Sequence, residues 1–144
     1  MVRISALLER KGSSVATIAA DATVADAVAE LAAHGIGALV VSADGEHIDG
    51  IVSERDVVRG LGTRSAELLQ ASVASIMTAA VVTCTPDDDV DSLMATMTEK
   101  RVRHVPVVVD GRLAGIVSIG DVVKARIDGL EKDRKELVEY ITAR

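Results

Sequence analysis

The sequence predicts an α+β fold: two tandem β-α-β-β-α units packed around a pseudo-two-fold axis. Three observations predict it. Gly50-Ile51-Val52-Ser53-Glu54-Arg55-Asp56 returns as Gly115-Ile116-Val117-Ser118-Ile119-Gly120-Asp121, about 65 residues apart, a period that fits a whole supersecondary unit. Each copy follows an Asp-Gly turn, Asp44-Gly45 and Asp110-Gly111, set between apolar runs. Of the 144 residues, 49 % are hydrophobic but only 1 % aromatic, so the core must be built from aliphatic side chains. A small three-stranded sheet exposes a face that two helices can cover. Each half is too short to bury much core alone, so the halves should pack together.

The elements follow in order. Ile4, Leu7 and Leu8 have helical spacing, and Lys11-Gly12-Ser13-Ser14 ends that helix. Val15 to Ile18 reads as a strand. Thr23 is an N-cap with Asp26 three residues on, and Val24, Ala27, Val28 and Leu31 share one face up to Gly35. Ile36 to Val41 and Ile48 to Val52 read as strands, and a helix runs from about Glu54 to Leu61. A connector with a helical piece at Glu67-Leu68-Leu69 leads to the second unit. There Val81 to Cys84 is the expected strand, Asp89 caps a helix carrying Val90, Leu93, Met94 and Met97, and Val102 to Val109 and Leu113 to Val117 are strands. The last helix of the unit starts at Ser118. The resulting division is 1–62 with the N-terminal helix, connector 63–75, second unit 76–127, and a charged helical tail 128–144 whose Leu130, Leu137, Val138 and Ile141 form a broken apolar stripe.

Composition excludes several classes. The net charge of −6 argues against a general nucleic-acid binder. No apolar run approaches the roughly 20 residues of a membrane helix, and the N-terminus does not read as a signal peptide. The single cysteine, Cys84, fits a reducing cytoplasmic setting and reads as a small buried hydrophobe. The histidines lack zinc-site spacing, so no metal is expected. There is no P-loop, no Gly-x-Ser-x-Gly and no carboxylate pair suited to acid–base work, so an enzyme is not expected.

The doubled Gly-Ile-Val-Ser-x-x-Asp, the segment Arg101-Val102-Arg103-His104-Val105-Pro106-Val107 and the paired Asp-Gly hairpins resemble the CBS-domain pair, or Bateman module, from about Val15 to Lys124. The resemblance implies a stand-alone regulatory module that binds an adenosine nucleotide (AMP, ADP, ATP or NAD) between its units. It also implies a homodimer that signals to an unidentified protein partner. In such pairs an aspartate at Asp56 or Asp121 accepts the ribose hydroxyls, and Ser53 or Ser118 donates to ribose or phosphate. The segments of Thr17 and Thr83 face the adenine. Each cleft joins the Ser and Asp of one unit to the basic segment of the other, so Ser53 and Asp56 would meet Arg101, Arg103 and His104. The Ser118/Asp121 cleft would receive little positive charge, from His34 or Arg55.

Each of these has a structural alternative. Ser-x-x-Asp is also a capping box, stabilising by about 1 kcal/mol without a ligand. A charge run such as Lys100-Arg101-Val102-Arg103 is often only a solvated strand entry, although guanidinium matches phosphate in bidentate fashion. Thr17 and Thr83 are ordinary strand threonines if no adenine binds. The alternative function is a ligand-independent dimerisation or protein-interaction module.

Overall fold

The computed structural model describes residues 2–143. Helix α1 (Ile4–Lys11) leads into β1 (Thr17–Ile18), α2 (Val24–His34), β2 (Ala38–Val41), β3 (Gly50–Ser53) and α3 (Glu54–Arg64). Two 3-10 turns, Ser65–Gln70 and Val73–Ser75, form the connector. The second unit contains α4 (Val90–Lys100), β4 (His104–Val109), β5 (Arg112–Ser118) and α5 (Ile119–Thr142). The chain therefore has the mixed helix-and-strand class that the repeat predicts.

In the first unit β1 runs parallel to β2, and β2 antiparallel to β3. Leu39, Val40 and Val41 have no exposed surface, which is why this strand reads as an unbroken apolar run. In the second unit β4 and β5 form the hairpin, with Asp110 and Gly111 both at positive φ in the turn. Positive φ at two successive turn residues matches the right-handed twist of the strands it joins.

The expected strand from Val81 to Cys84 does not form. Only Cys84 pairs: its N–H donates to the Pro106 carbonyl (3.0 Å), and its carbonyl accepts from Val108 N–H (2.8 Å). Beyond it, the Pro86 and Asp88 carbonyls accept from Ser5 and Ile4 N–H (3.0 and 2.8 Å), which ties the following loop to the start of α1. Burial pushes the Cys84 thiol up to about 12, in keeping with an inert hydrophobe.

Helix α1 precedes the first unit but packs in the core of the second. Ile4 and Leu7 are buried with Val90, Leu93, Val105 and Val122. This corrects the grouping of the N-terminal helix with residues 1–62. The exchange is reciprocal. Val73, which leads into the second unit, is buried with Ile18 and Leu39 of the first, and Ile76 and Met77 pack there too. Thr78 exchanges both backbone hydrogen bonds with Ile51 (2.9 and 3.0 Å). Each lead-in segment thus crosses the other unit's hairpin, and the repeated glycine makes room for it. A Cβ on Gly50 would lie 2.7 Å from Met77 Sδ, and one on Gly115 would lie 2.9 Å from Leu8 Cδ2.

The tail expected as a separate piece is the continuation of α5, a single helix of 24 residues; Arg144 lies outside the described residues. From Leu130 onward every described residue of it is exposed.

Candidate functional site

Ser53 and Ser118 each end a strand and cap the helix that follows. In both, the serine N–H donates to the aspartate Oδ2 at 2.8 Å, and the serine hydroxyl accepts from the aspartate N–H. The serine hydroxyl also donates to the same Oδ2, at 3.1 Å on Asp56 and 2.9 Å on Asp121. Both capping boxes are therefore real. They leave Asp56 fixed in direction with Oδ1 unused among the described residues. A carboxylate oxygen held open in this way can accept a ligand hydroxyl.

The loop before each hairpin docks on the helix start of its own unit. The Gly37 carbonyl accepts from Glu54 N–H (2.9 Å), and the Arg103 carbonyl from Ile119 N–H (2.8 Å). For this reason β2 begins at Ala38 rather than Ile36, and β4 at His104 rather than Val102. Two clefts open beside these docked loops. The first, about 480 Å³, brings Ser53 and Asp56 together with Arg101, Arg103 and His104, the combination expected from the sequence. It also contains Arg55 and Arg59, which sequence reasoning did not assign there. They sit at the first and second turns of α3, so their spacing after Ser53 carried the signal. Among the described residues none of the four guanidiniums is ion-paired. They face only two lining carboxylates, Glu54 and Asp56. In a chain of net charge −6 this cleft is locally cationic.

The second cleft, about 570 Å³, joins Ser118 and Asp121 to Gly35, Ile36 and Gly37. His34 lines it, as expected, but Arg55 does not. Its cation is one the sequence reading missed, Lys11 at the end of α1. The ammonium donates to Asp121 Oδ2 and to the Ile116 carbonyl, both at 2.7 Å. Burial alone would push the Asp121 carboxyl up; the Lys11 ammonium and the Ser118 N–H and hydroxyl outweigh it and hold the carboxyl below its ordinary range.

His104 lines both clefts. Burial lowers its pKa, against the pull of Glu54 and Asp121. That direction disfavours the charged ring and argues against His104 as the third cation of a phosphate clamp. Thr17 and Thr83 line neither cleft; Val15 and Ala16 line the second, and Ala80, Val81 and Val82 the first. The expectation named the right segments one or two residues late: Thr17 already lies in β1, and Thr83 precedes Cys84, the one residue there that bridges to β4. The exposed side chains Asp44, Glu46 and His47 lie within 4.8 Å of one another, but Asp44 already holds His47 (2.6 Å) and Glu46 faces Arg112 (3.7 Å).

The CBS domain profile matches residues 11–63 and again 73–128. This chain belongs to the CBS-domain family. Its CBS pair is similar to the crystal structure of the CBS-domain containing protein ATU1752 from Agrobacterium tumefaciens, at 49 % identity and a TM-score of 0.84 over 87 % of this chain and 99 % of that one. It is also similar to the mitochondrial CBS domain-containing protein CBSX3 of Arabidopsis thaliana, 37 % identical over 96 % of this chain and 71 % of that protein. A third relative is the CBS domain protein PAE2072 from Pyrobaculum aerophilum, solved in complex with AMP, at 29 % identity and a TM-score of 0.74 over 83 % of this chain and 89 % of that one. Among the described residues no helix of the CBS pair is long and apolar enough to cross a membrane.

Proposed function

We propose that this CBS pair is a regulatory sensor that binds an adenosine nucleotide, with its tighter site in the cleft of Ser53 and Asp56. The observation that carries the reading is the convergence of Arg55, Arg59, Arg101 and Arg103, all without ion partners among the described residues, on one cleft that also presents the fixed Asp56 carboxylate. An adenosine nucleotide answers both needs: ribose hydroxyls for the carboxylate and phosphate oxygens for the guanidiniums. The relative solved with AMP supports the adenosine part. AMP, ADP, ATP and NAD share this chemistry. S-adenosylmethionine would bring a sulfonium cation against the guanidiniums and should bind this cleft more weakly. Ligand closure of the cleft then signals to a protein partner.

The test is the melting temperature with and without each compound, joined to mass spectrometry of small molecules released from the denatured protein. Ligand at a hundred times its dissociation constant should stabilise by about 2.7 kcal/mol. If no adenosine compound shifts melting at millimolar concentration, the reading fails. A second reading, dimerisation or partner binding without a nucleotide, is favoured by one observation, the exposed Leu130, Leu137 and Ile141 on α5.

A further inference from the structure

We propose that Lys11 sets the selectivity of the second cleft, admitting adenosine ligands that bring a phosphate and disfavouring those that do not. The inference rests on the nucleotide-binding reading above and concerns the other cleft.

The two clefts draw their cations from different places. The first takes them from the loop after α4 and from α3. The loop after α2, which serves the second cleft, is Gly35-Ile36-Gly37 and has none. His104, shared between the clefts, is partly buried, and desolvation lowers its pKa and so disfavours a charge there. Lys11 enters instead from α1, the helix that crosses onto the second unit. Among the described residues no lysine lines the first cleft.

The two aspartates consequently differ. Asp56 Oδ2 accepts from Ser53 alone. Asp121 Oδ2 accepts from Ser118 twice and from the Lys11 ammonium at 2.7 Å. The second Lys11 bond, to the Ile116 carbonyl, holds the ammonium over the carboxylate. A ribose that uses both oxygens of Asp121 must push Lys11 aside. A phosphate on the same ligand offers the displaced ammonium an equivalent anionic partner, so one charge-assisted bond replaces another. A neutral nucleoside offers nothing, and a charge in a partly enclosed cleft is left without its partner. If the ammonium stays, its third N–H makes a stronger bond to an ionised phosphate than to a neutral hydroxyl, so the preference points the same way.

The experiment isolates this cleft with the Asp56→Ala variant and measures AMP and adenosine by calorimetric titration, with and without Lys11→Met. In Asp56→Ala, AMP should bind more tightly than adenosine by roughly tenfold, the worth of about one charge-assisted bond. Adding Lys11→Met should weaken AMP, strengthen adenosine and bring the ratio near one. Lys11→Arg in the same background should keep the preference, which separates charge from any loosening of α1. An AMP-to-adenosine ratio that Lys11→Met leaves unchanged would reduce Lys11 to a structural tie and overturn the inference. Binding seen in the wild type but lost entirely in Asp56→Ala would overturn it too, while leaving the nucleotide reading intact. No binding of either compound to the wild type would sink that reading and this inference with it.

Discussion

Arg101 sits at φ 56°, where the first unit has Gly35 at φ 61°. Both close a helix: the N–H of Arg101 donates to the Met97 carbonyl, and that of Gly35 to the Leu31 and Ala32 carbonyls. Glycine takes this conformation freely, whereas a side chain costs about 1 kcal/mol there. An arginine kept at that cost, aimed into a cationic cleft, is the pattern of strain held at a functional site. Arg101→Gly should raise stability by about 1 kcal/mol in a denaturant titration while weakening phosphorylated ligands more than adenosine. Loss of stability in that variant would show that the arginine stem packs rather than binds. His104 gives the residue scale a second handle. Its folded pKa lies below the ordinary value of 6.5 because of burial, so the unfolded chain takes up the proton first. Stability from this residue is full above pH 6.5 and falls as pH drops through that value toward the folded pKa. A melting curve measured from pH 8 to about 5 should therefore slope downward on the acid side, and His104→Gln should flatten the slope.

Among the elements, the doubled strand-to-helix turn was fully legible, because a serine followed by an aspartate after an apolar run states both the cap and the helix start. The pairing of the Ser53 and Asp56 turn with residues 101–104 was legible through the family resemblance and is what the first cleft contains. Lys11 was not legible. A lysine closing a short helix reads as a solvated end, and only the crossing of α1 onto the second unit carries it to Asp121. The missing strand at Val81 was hidden too: its valines read as a strand, but Val81 N–H turns back to the Ala79 carbonyl and only Cys84 reaches β4. These crossings are rigid to different degrees, and that is testable. A Cβ at Gly50 meets Met77 Sδ at 2.7 Å and the Thr78 carbonyl at 2.8 Å, whereas the three atoms nearest to one at Gly115 all belong to the Leu8 side chain. A leucine end can rotate away; a strand-paired carbonyl cannot. Gly50→Ala should cost about 1–3 kcal/mol, and Gly115→Ala clearly less, by thermal or denaturant unfolding. The reverse order would mean that α1, not the connector, is the stiffer partner.

At the scale of the whole molecule, α5 raises the question of what covers it. At 1.5 Å per residue its 24 residues span about 36 Å, and only Val122 and Ala125 are buried. The half beyond Gly129 touches no core, and a helix of about 12–15 residues is marginal in water on its own. Gly129 weakens it further, with open space around a would-be Cβ. Yet its exposed apolar residues are ordered: Ile127, Leu130, Leu137 and Ile141 recur at three- and four-residue steps, with Arg134 completing the pattern. Such a heptad stripe is what a second copy of the same helix buries. In a parallel pair each Arg134 lies beside the partner helix's acidic residue at the preceding heptad position, Asp133, which offsets the buried cations. The expected state is a homodimer joined through α5, with closed two-fold symmetry. Sedimentation equilibrium at micromolar concentration should give twice the 15.0 kDa chain mass, and the melting temperature should fall on dilution. Leu137→Asp should give a monomer whose α5 frays, read as lost helical circular dichroism, with the clefts still able to bind. Gly129→Ala should strengthen the dimer by about 0.5–1 kcal/mol, because it raises the population of helix presented to the partner. A wild-type protein that sediments as a monomer with α5 fully helical would rule out this assembly.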